Sequence, residues 1–377
     1  MIYSSNKGKT EGGSENASAQ TYGNTWHDAG TYIGVALDFD NKAMYFAKNN
    51  SWQNSGDPTS GASKTGAVFH QDLSAAFKYT APSGFKALCT QNLDDTFSGA
   101  ELNNPSKYFG VLTYTGTGDS DNAIRGLNFT PDLVWIKNRN SASNYNEVFD
   151  QIRGVAKPIW ANTNGAQTDY SGTDNSLRSF DSGGFTVNDD ATGAYGVNGP
   201  PSGQYSGNGT FIGWCWDAGT AAATASTDGS ITPSAQWVNA TAGFSISKYE
   251  GTEAAATVGH GLSAAPELVI VKNLETASSE WVIWHKAMAA TEHMNFTNTA
   301  VVTGQTNTWN STAPTNTVFS LNASWYSNDD GVDHVAYCWT PIAGYSAFGS
   351  YEGNGSATVG PFIYTGFTPR YVLLKDI

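Results

Sequence analysis

One block of sequence occurs three times in this chain, and it constrains the fold more than any other feature. The first copy reads Phe109-Gly-Val-Leu-Thr-Tyr114-Thr-Gly116, then Ile124, then Pro131-Asp-Leu-Val-Trp-Ile-Lys-Asn138. The second reads Phe244-Ser-Ile-Ser-Lys-Tyr249-Glu-Gly251, then Val258, then Pro266-Glu-Leu-Val-Ile-Val-Lys-Asn273. The third reads Phe348-Gly-Ser-Tyr351-Glu-Gly353, then Val359, then Pro369-Arg-Tyr-Val-Leu-Leu-Lys-Asp376. Tyr114 precedes Tyr249 by 135 residues, as Pro131 does Pro266, and the next intervals are 102 and 103. Solenoid repeats run about 20–50 residues, whereas a unit of roughly 100 can bury its own core. Tandem domains with loops of unequal length are therefore expected. The third copy stops one residue after Asp376, as expected of a truncated module in a longer protein.

The composition narrows the class. Charged residues make up 14% of the 377, against roughly 25% in an average soluble protein. Aromatics reach 13%, with 41 glycines. Such a mixture predicts many short strands and turns with an uncharged polar surface. Long amphipathic helices need Glu, Lys, Leu and Ala in a pattern that is scarce here. The net charge of −14 carries no basic stripe, so no nucleic-acid partner is expected. Apolar runs are strand-sized, so no membrane insertion is expected, and no secretory signal is visible. Three cysteines make no disulfide framework. Cys215 and Cys338 fall at one register of two modules, in Trp214-Cys-Trp216 and Tyr337-Cys-Trp339, and are expected as small apolar residues on buried strands.

The clearest hairpin runs Ile33-Gly-Val-Ala-Leu-Asp-Phe39, turns at Asp40-Asn41, and returns through Ala43-Met-Tyr-Phe-Ala47. A further strand is expected near Ala67-Val-Phe69. Gly34-Val35-Ala36-Leu37-Asp38 and Tyr45-Phe46-Ala47-Lys48-Asn49 resemble the paired strands of a SPRY domain. The resemblance covers roughly residues 26–88 and lacks the first half of that domain. It implies a bent β-sandwich that binds partners through loops.

In module one, strands are expected at 133–136, 148–149, 159–160 and 179–180, with a turn at Asp181-Ser-Gly-Gly184 into Phe185-Thr-Val187. Tyr114-Thr-Gly-Thr-Gly118, Leu127-Asn-Phe-Thr-Pro-Asp-Leu-Val-Trp-Ile-Lys137, Asp150-Gln-Ile-Arg-Gly154, Ser182-Gly-Gly-Phe185 and Trp214-Cys-Trp216 resemble a module of tailed-bacteriophage structural proteins. Module two departs from that pattern, with His285-Lys-Ala-Met288 where module one has Asp150-Gln-Ile-Arg153. The expected fold class is all-β, with tandem β-sandwich or jelly-roll modules of the concanavalin A-like kind. The expected domains are a partial SPRY-like sandwich at 1–92, a linker at 93–107 and a first repeat module at 108–217. A linker and leading strand follow at 218–242, then a second module at 243–342 and the start of a third at 343–377.

A search for chemistry finds no HExxH helix, no Gly-x-Ser-x-Gly elbow and no phosphate loop, and Gly203–Gly209 reads as a loop. Asp38 and Asp40 flank Phe39 and read as turn caps rather than a glycosidase pair. Asp189-Asp190, Asp329-Asp330 and Asp38/Asp40 are the pairs a calcium ion could favour, but none is assigned as a metal site. No catalytic residue and no cofactor is expected. Trp135, Trp214, Trp216, Trp284 and Trp339 fall in strands and read as core. Trp26, Tyr195, Tyr205, Trp309, Trp325 and Tyr326 fall in turn-rich segments beside Asn, Asp and Gln, and are the candidate ligand-binding residues. Either they stack on sugar rings, or they staple loops to the sandwich.

The phage resemblance implies a virion structural protein, tail-fibre-like, located in a tail appendage. Its loops would contact cell-surface glycans or proteins of a host, with affinity gained by repetition. It also implies other virion proteins as partners, and a homotrimer. A secreted bacterial adhesin or carbohydrate-binding protein, extracellular or on the cell surface, is the alternative. A glycan depolymerase is a third reading, with least support because no acid–base pair recurs in both modules.

Overall fold

The structure is a computed structural model that describes residues 2–3, 9–10, 20–21, 32–38, 41, 43–67, 102, 104–118, 121–141, 144–172, 176–188, 196–199, 209–221, 224–297, 300–356, 358 and 360–376. Among them there is no α-helix; the protein is all-β, with its strands in several antiparallel sheets. No helix among the described residues is long and apolar enough to cross a membrane. The chain forms two compact units, residues 1–98 and 99–377.

In the first unit, β1 (Ile2–Tyr3), β2 (Lys9–Thr10) and β3 (Gln20–Thr21) form one small sheet. β4 (Ile33–Asp38), β5 (Ala43–Lys48) and β6 (Ser51–Trp52) form another. The expected hairpin is present, with Asp38 paired to Ala43. Asp38 accepts hydrogen bonds from the backbone N–H of Asn41 at 3.0 Å and from its carboxamide at 2.9 Å. It is therefore a turn cap, as the Asp-Asn spacing predicted. Ala43 and Tyr45 bury one face of β5 with Ala67. Residues 68–69 and Asp40 lie outside the described residues.

The second unit holds both complete modules. In module one, β7 (Phe109–Thr115), β9 (Leu133–Asn138), β10 (Asn146–Asp150), β11 (Ile159–Trp160) and β14 (Thr210–Trp216) make a five-stranded sheet in the order β11-β10-β9-β14-β7. β8 (Asn122–Arg125), β12 (Leu177–Asp181) and β13 (Gly184–Val187) make a small sheet, the last two joined by the expected turn. Module two repeats this plan. β15 (Thr220–Ala221), β16 (Ala235–Asn239), β17 (Phe244–Glu250), β19 (Leu268–Asn273), β20 (Val282–His285) and β22 (Asp333–Trp339) make its large sheet, in the order β15-β16-β17-β22-β19-β20. β18 (Ala256–Gly259) pairs with β21 (Val318–Leu321). The stretch 218–242 thus supplies the edge strand of the second large sheet and the strand beside it.

In each module the last strand sits in the middle of the sheet. β14 pairs antiparallel with both β7 and β9, and β22 does so with both β17 and β19. β7 and β9 meet only through β14, and β17 and β19 only through β22.

Alternate residues of these central strands serve two different cores, as period-2 side-chain alternation requires. Val134, Ile136, Phe211 and Cys215 face the small sheet of module one. Leu133, Trp135, Trp214 and Trp216 face the other way, onto Ile270, Tyr337 and Trp339 of module two. Val269, Val271, Ala336 and Cys338 fill the interior of module two. The large sheets therefore pack back to back, and the layers run small, large, large, small. Burial on both faces explains why Leu133-Val-Trp-Ile136 and Leu268-Val-Ile-Val271 read as unbroken apolar runs instead of alternating ones. The strand tryptophans are core or seam residues, and Cys215 and Cys338 are buried.

One ion pair lies in the seam between the two large sheets. The Arg153 Nε donates to Asp150 Oδ2 at 2.6 Å, and both side chains are almost wholly buried. Its Nη1 donates to the Lys157 carbonyl at 2.6 Å and to Gln167 Oε1 at 3.2 Å, and its Nη2 to the Val148 carbonyl at 2.9 Å. From the other module the Tyr337 hydroxyl donates to Asp150 Oδ2 at 2.6 Å. Trp281 Nε1 adds a bond to the Trp160 carbonyl at 2.9 Å.

The third copy contains no strand among its described residues. Tyr371, the counterpart of Leu133 and Leu268, packs against Trp214 and Trp216 with ring centres 5.6 and 5.4 Å away.

Candidate functional site

The repeated residues of the sequence block show what holds each module's loops. Tyr114 donates its hydroxyl proton to the Val197 carbonyl at 2.6 Å, and Tyr249 donates to the Ser327 carbonyl at the same distance. The next residue in each case is an asparagine. Asn198 accepts from the backbone of Thr117 at 3.1 Å, and Asn328 from that of Thr252 at 2.9 Å. Gly116 and Gly251 lie against these anchors, where a Cβ would run into the backbone of Asn198 or Asp329. Lys272, fully buried, donates to the Asn273 and Ser279 carbonyls at 2.8 Å each. Lys137 does the same for Ser141 and Asn144 at 3.3 and 2.9 Å. The Tyr, Gly and Lys-Asn signals of the block are thus loop clamps. Asn198 and Asn328 stand 17 and 10 residues before the matching Cys215 and Cys338, so no common spacing marks them in the sequence.

In module two the clamped loop carries a surface aromatic. Trp325 is 42% exposed and Tyr326 is half-buried, with ring centres 4.4 Å apart. The Trp325 carbonyl accepts from Asn273 Nδ2 at 2.9 Å. Asp329 Oδ2 accepts from the Thr276 hydroxyl at 3.0 Å, which ties this loop to the turn that follows β19. Asn328 Nδ2 donates to the Ala254 and Asn322 carbonyls at 2.7 and 3.1 Å. Asn328→Ala is expected to leave the Thr252 N–H and the Ala254 carbonyl without these partners, while the Asn322 carbonyl keeps the Ser324 N–H at 2.8 Å, at a cost of about 1–3 kcal/mol. Urea denaturation checks this, and an unchanged midpoint would deny the anchor.

Of the other aromatic candidates, Trp309 requires correction. It is 1% exposed, packed in the interior of module two with Phe319 and Leu321, so it staples its loop and meets no ligand. Trp26, Tyr195 and Tyr205 lie outside the described residues. Counting back from the anchors, however, Tyr195 stands two residues before Val197 as Trp325 stands two before Ser327.

Among the described residues the titratable groups do not converge on one centre. His260 Nδ1 accepts from Leu262 N–H at 3.1 Å, and its Nε2 lies 3.1 Å from the Thr315 carbonyl. His285 Nδ1 accepts from Ala287 N–H at 3.1 Å. His293 lies beside the Thr308 hydroxyl at 3.2 Å, and His334 donates from Nδ1 to the Val332 carbonyl at 2.9 Å. Burial holds the last two imidazoles down to about 4. His27, His70 and Asp189-Asp190 lie outside the described residues. Among the described residues no three His, Cys, Asp or Glu side chains group as metal ligands. A shallow depression of about 250 Å³, lined by Val155, Ser171, Leu177 and Arg178, falls below the roughly 300–1,000 Å³ of small-molecule sites.

A family model described as "Domain of unknown function (DUF7483)" matches residues 104–377. No curated protein and no solved structure matches the chain.

Proposed function

The chain belongs to the DUF7483 family of domains of unknown function, and from that premise we propose that it is a structural protein of a tailed-phage appendage, tail-fibre-like, which holds loop aromatics against host-surface glycans. One observation carries the binding part: the indole of Trp325 is exposed on a loop whose next residues are clamped by Tyr249 and Asn328. An aromatic face stacks on the C–H face of a sugar, while neighbouring hydroxyl, amide and carboxylate groups take its hydroxyls. A loop fixed in advance loses little entropy on binding. An aromatic recurs in the sequence at Tyr195, two residues before Val197 as Trp325 is before Ser327, and two weak contacts on one chain would add by avidity. The likeness of the repeats to phage structural modules supports the virion part.

Binding of the protein to an array of bacterial surface glycans tests the reading. Trp325→Ala and Tyr195→Ala are each expected to weaken binding about 2- to 10-fold, the worth of a stacking contact of ~0.5–1.5 kcal/mol, with unchanged thermal stability. Wild-type protein that binds no glycan, or variants that bind as well as it, would sink the proposal. Sequencing the source DNA on both sides tests the virion assignment. Neighbouring tail genes are expected, and a cell-wall anchor signal would make it a bacterial adhesin.

A further inference from the structure

The loops gathered around Trp325 carry one sign of charge. Asn273, at the end of β19, is their hub. Its Nδ2 donates to the Trp325 carbonyl at 2.9 Å and to Asp329 Oδ2 at 3.5 Å. Its Oδ1 accepts from the backbone N–H groups of Glu275 and Thr276 at 3.0 and 2.9 Å. One carboxamide thus holds together the residue that bears the indole, the Asp329 carboxylate and the turn of Glu275. The Asn328 carbonyl adds a third turn, accepting from the Glu253 N–H at 2.7 Å. The three segments joined in this way, 251–255, 273–278 and 322–331, contain Glu253, Glu275, Asp329 and Asp330 and no Lys, Arg or His. Glu253, Glu275 and Asp330 are exposed and Asp329 is half-buried. Among the described residues none of the four forms an ion pair.

The lysines of the flanking strands are taken up elsewhere. Lys272 is fully buried on two carbonyls, and Lys248 pairs with Asp333. Nor does the fold itself demand these acids. In module one the N–H bonded to Asn138 Oδ1, as that of Glu275 is to Asn273 Oδ1, belongs to the neutral Asn140, and Arg139 precedes it. An anionic sugar laid on the indole would meet repulsion within the roughly 8 Å over which exposed charges act at physiological salt. A protonated amine is drawn both by the carboxylates and by the indole, the aromatic face that holds a cation best. Resting on the glycan reading above, we propose that the Trp325 loop selects sugars bearing a free, protonated amine over neutral N-acetylated and acidic ones. The C–H face of the sugar lies on Trp325, and its ammonium faces the rim of Glu253, Glu275 and Asp330. Stacking supplies the contact common to all sugars, and the rim supplies the discrimination among them.

Calorimetric titration of the whole chain with glucosamine oligomers, N-acetylglucosamine oligomers of equal length and galacturonate oligomers tests this, at about pH 6, where carboxylates are ionised and an amine is protonated. The glucosamine oligomer is expected to bind about 10-fold tighter than the acetylated one, and the galacturonate oligomer not to bind. At about 0.5 M salt the preference is expected to fall to about 2- to 3-fold, because exposed charges are screened. Glu253→Gln/Glu275→Gln/Asp330→Asn is expected to bring the preference to about 1, and Trp325→Ala to weaken both oligomers. The three rim side chains are exposed and their replacements isosteric, so the clamps of the loop stay in place. Equal binding of the two oligomers, tighter binding of galacturonate, or a preference that survives the triple substitution would overturn the proposal and leave the glycan reading standing. A preference untouched by Trp325→Ala would trace it to the net charge of the chain and overturn it as well. A wild-type chain that binds none of the three oligomers but binds other glycans of the array overturns the amine selection alone. One that binds no glycan at all removes the reading beneath it.

Discussion

Arg153→Met is expected to destabilise the second unit by about 3–5 kcal/mol, because it strands the Asp150 carboxylate in a dry seam. Stabilities of whole domains are about 5–15 kcal/mol, so this is a large fraction of the total. Burial alone would lower the Arg153 pKa. The adjoining Asp150 carboxylate and the Tyr337 hydroxyl outweigh that and raise it above its ordinary value, so the guanidinium stays charged. Burial likewise pushes the Tyr337 hydroxyl well up, with Asp150 adding to the effect, so it stays a donor. The informative partner variant is Asp150→His/Arg153→Met, which installs the residues of module two, His285 and Met288. Removing both charges together is expected to recover most of the loss, since replacing a buried pair is far cheaper than breaking one. Urea midpoints of the three proteins decide. A single variant within ~0.5 kcal/mol of wild type, the range of ordinary surface changes, would mean that the pair does not lock the seam.

His334→Phe is expected to remove about 3 kcal/mol of acid sensitivity. Burial holds the His334 imidazole at about 4, against about 6.5 in an unfolded chain. Between those values the unfolded state binds more protons than the folded one, so stability falls as pH drops from 6.5 to 4. The shift of about 2.5 units converts to ~3 kcal/mol. Phenylalanine fits because module one already uses it: Phe211 stacks on Tyr114 with centres 5.0 Å apart, as His334 stacks on Tyr249 at 5.3 Å. The wild-type curve alone would mislead. His293 acts in the same direction, but Asp132, raised to about 8 by burial and then by Asp217, binds its proton more tightly when folded and gains stability on acidification. Comparing wild type with the variant cancels both. The stability gap between them is expected to shift by ~3 kcal/mol from pH 7 to pH 4 in the variant's favour; a gap equal at both pH values would refute the assignment.

Much of the strand pattern was legible because it rests on local chemistry. Asp-Asn after Leu37 is a turn, Ser-Gly-Gly after Asp181 is a turn, and both hairpins stand where those residues put them. The Pro-led apolar runs of the first two copies marked strands and that of the third forms none among the described residues; whether one face or two was buried depends on what packs behind, which no run states. The seam was hidden for a related reason. Reading repeats rewards what recurs, and Asp150, Arg153 and Tyr337 do not recur, since a single seam needs a single key. Trp309 and Trp325 looked alike in the sequence, each among Asn and Ser. Only the fold separates the one that points inward from the one that remains at the surface.

The position of the closing strand also sets a timetable. Gly110 pairs with Cys215, so the edge strand waits for a partner made 105 residues later. At a synthesis rate of roughly 5–20 residues per second, each new module spends about 5–20 s on the ribosome with its sheet unzipped down the middle. Non-local pairing of this kind folds slowly and leaves apolar edges open to neighbouring nascent chains. The two complete modules therefore mature one sheet at a time, in the order of translation, the first offering its seam face to the second.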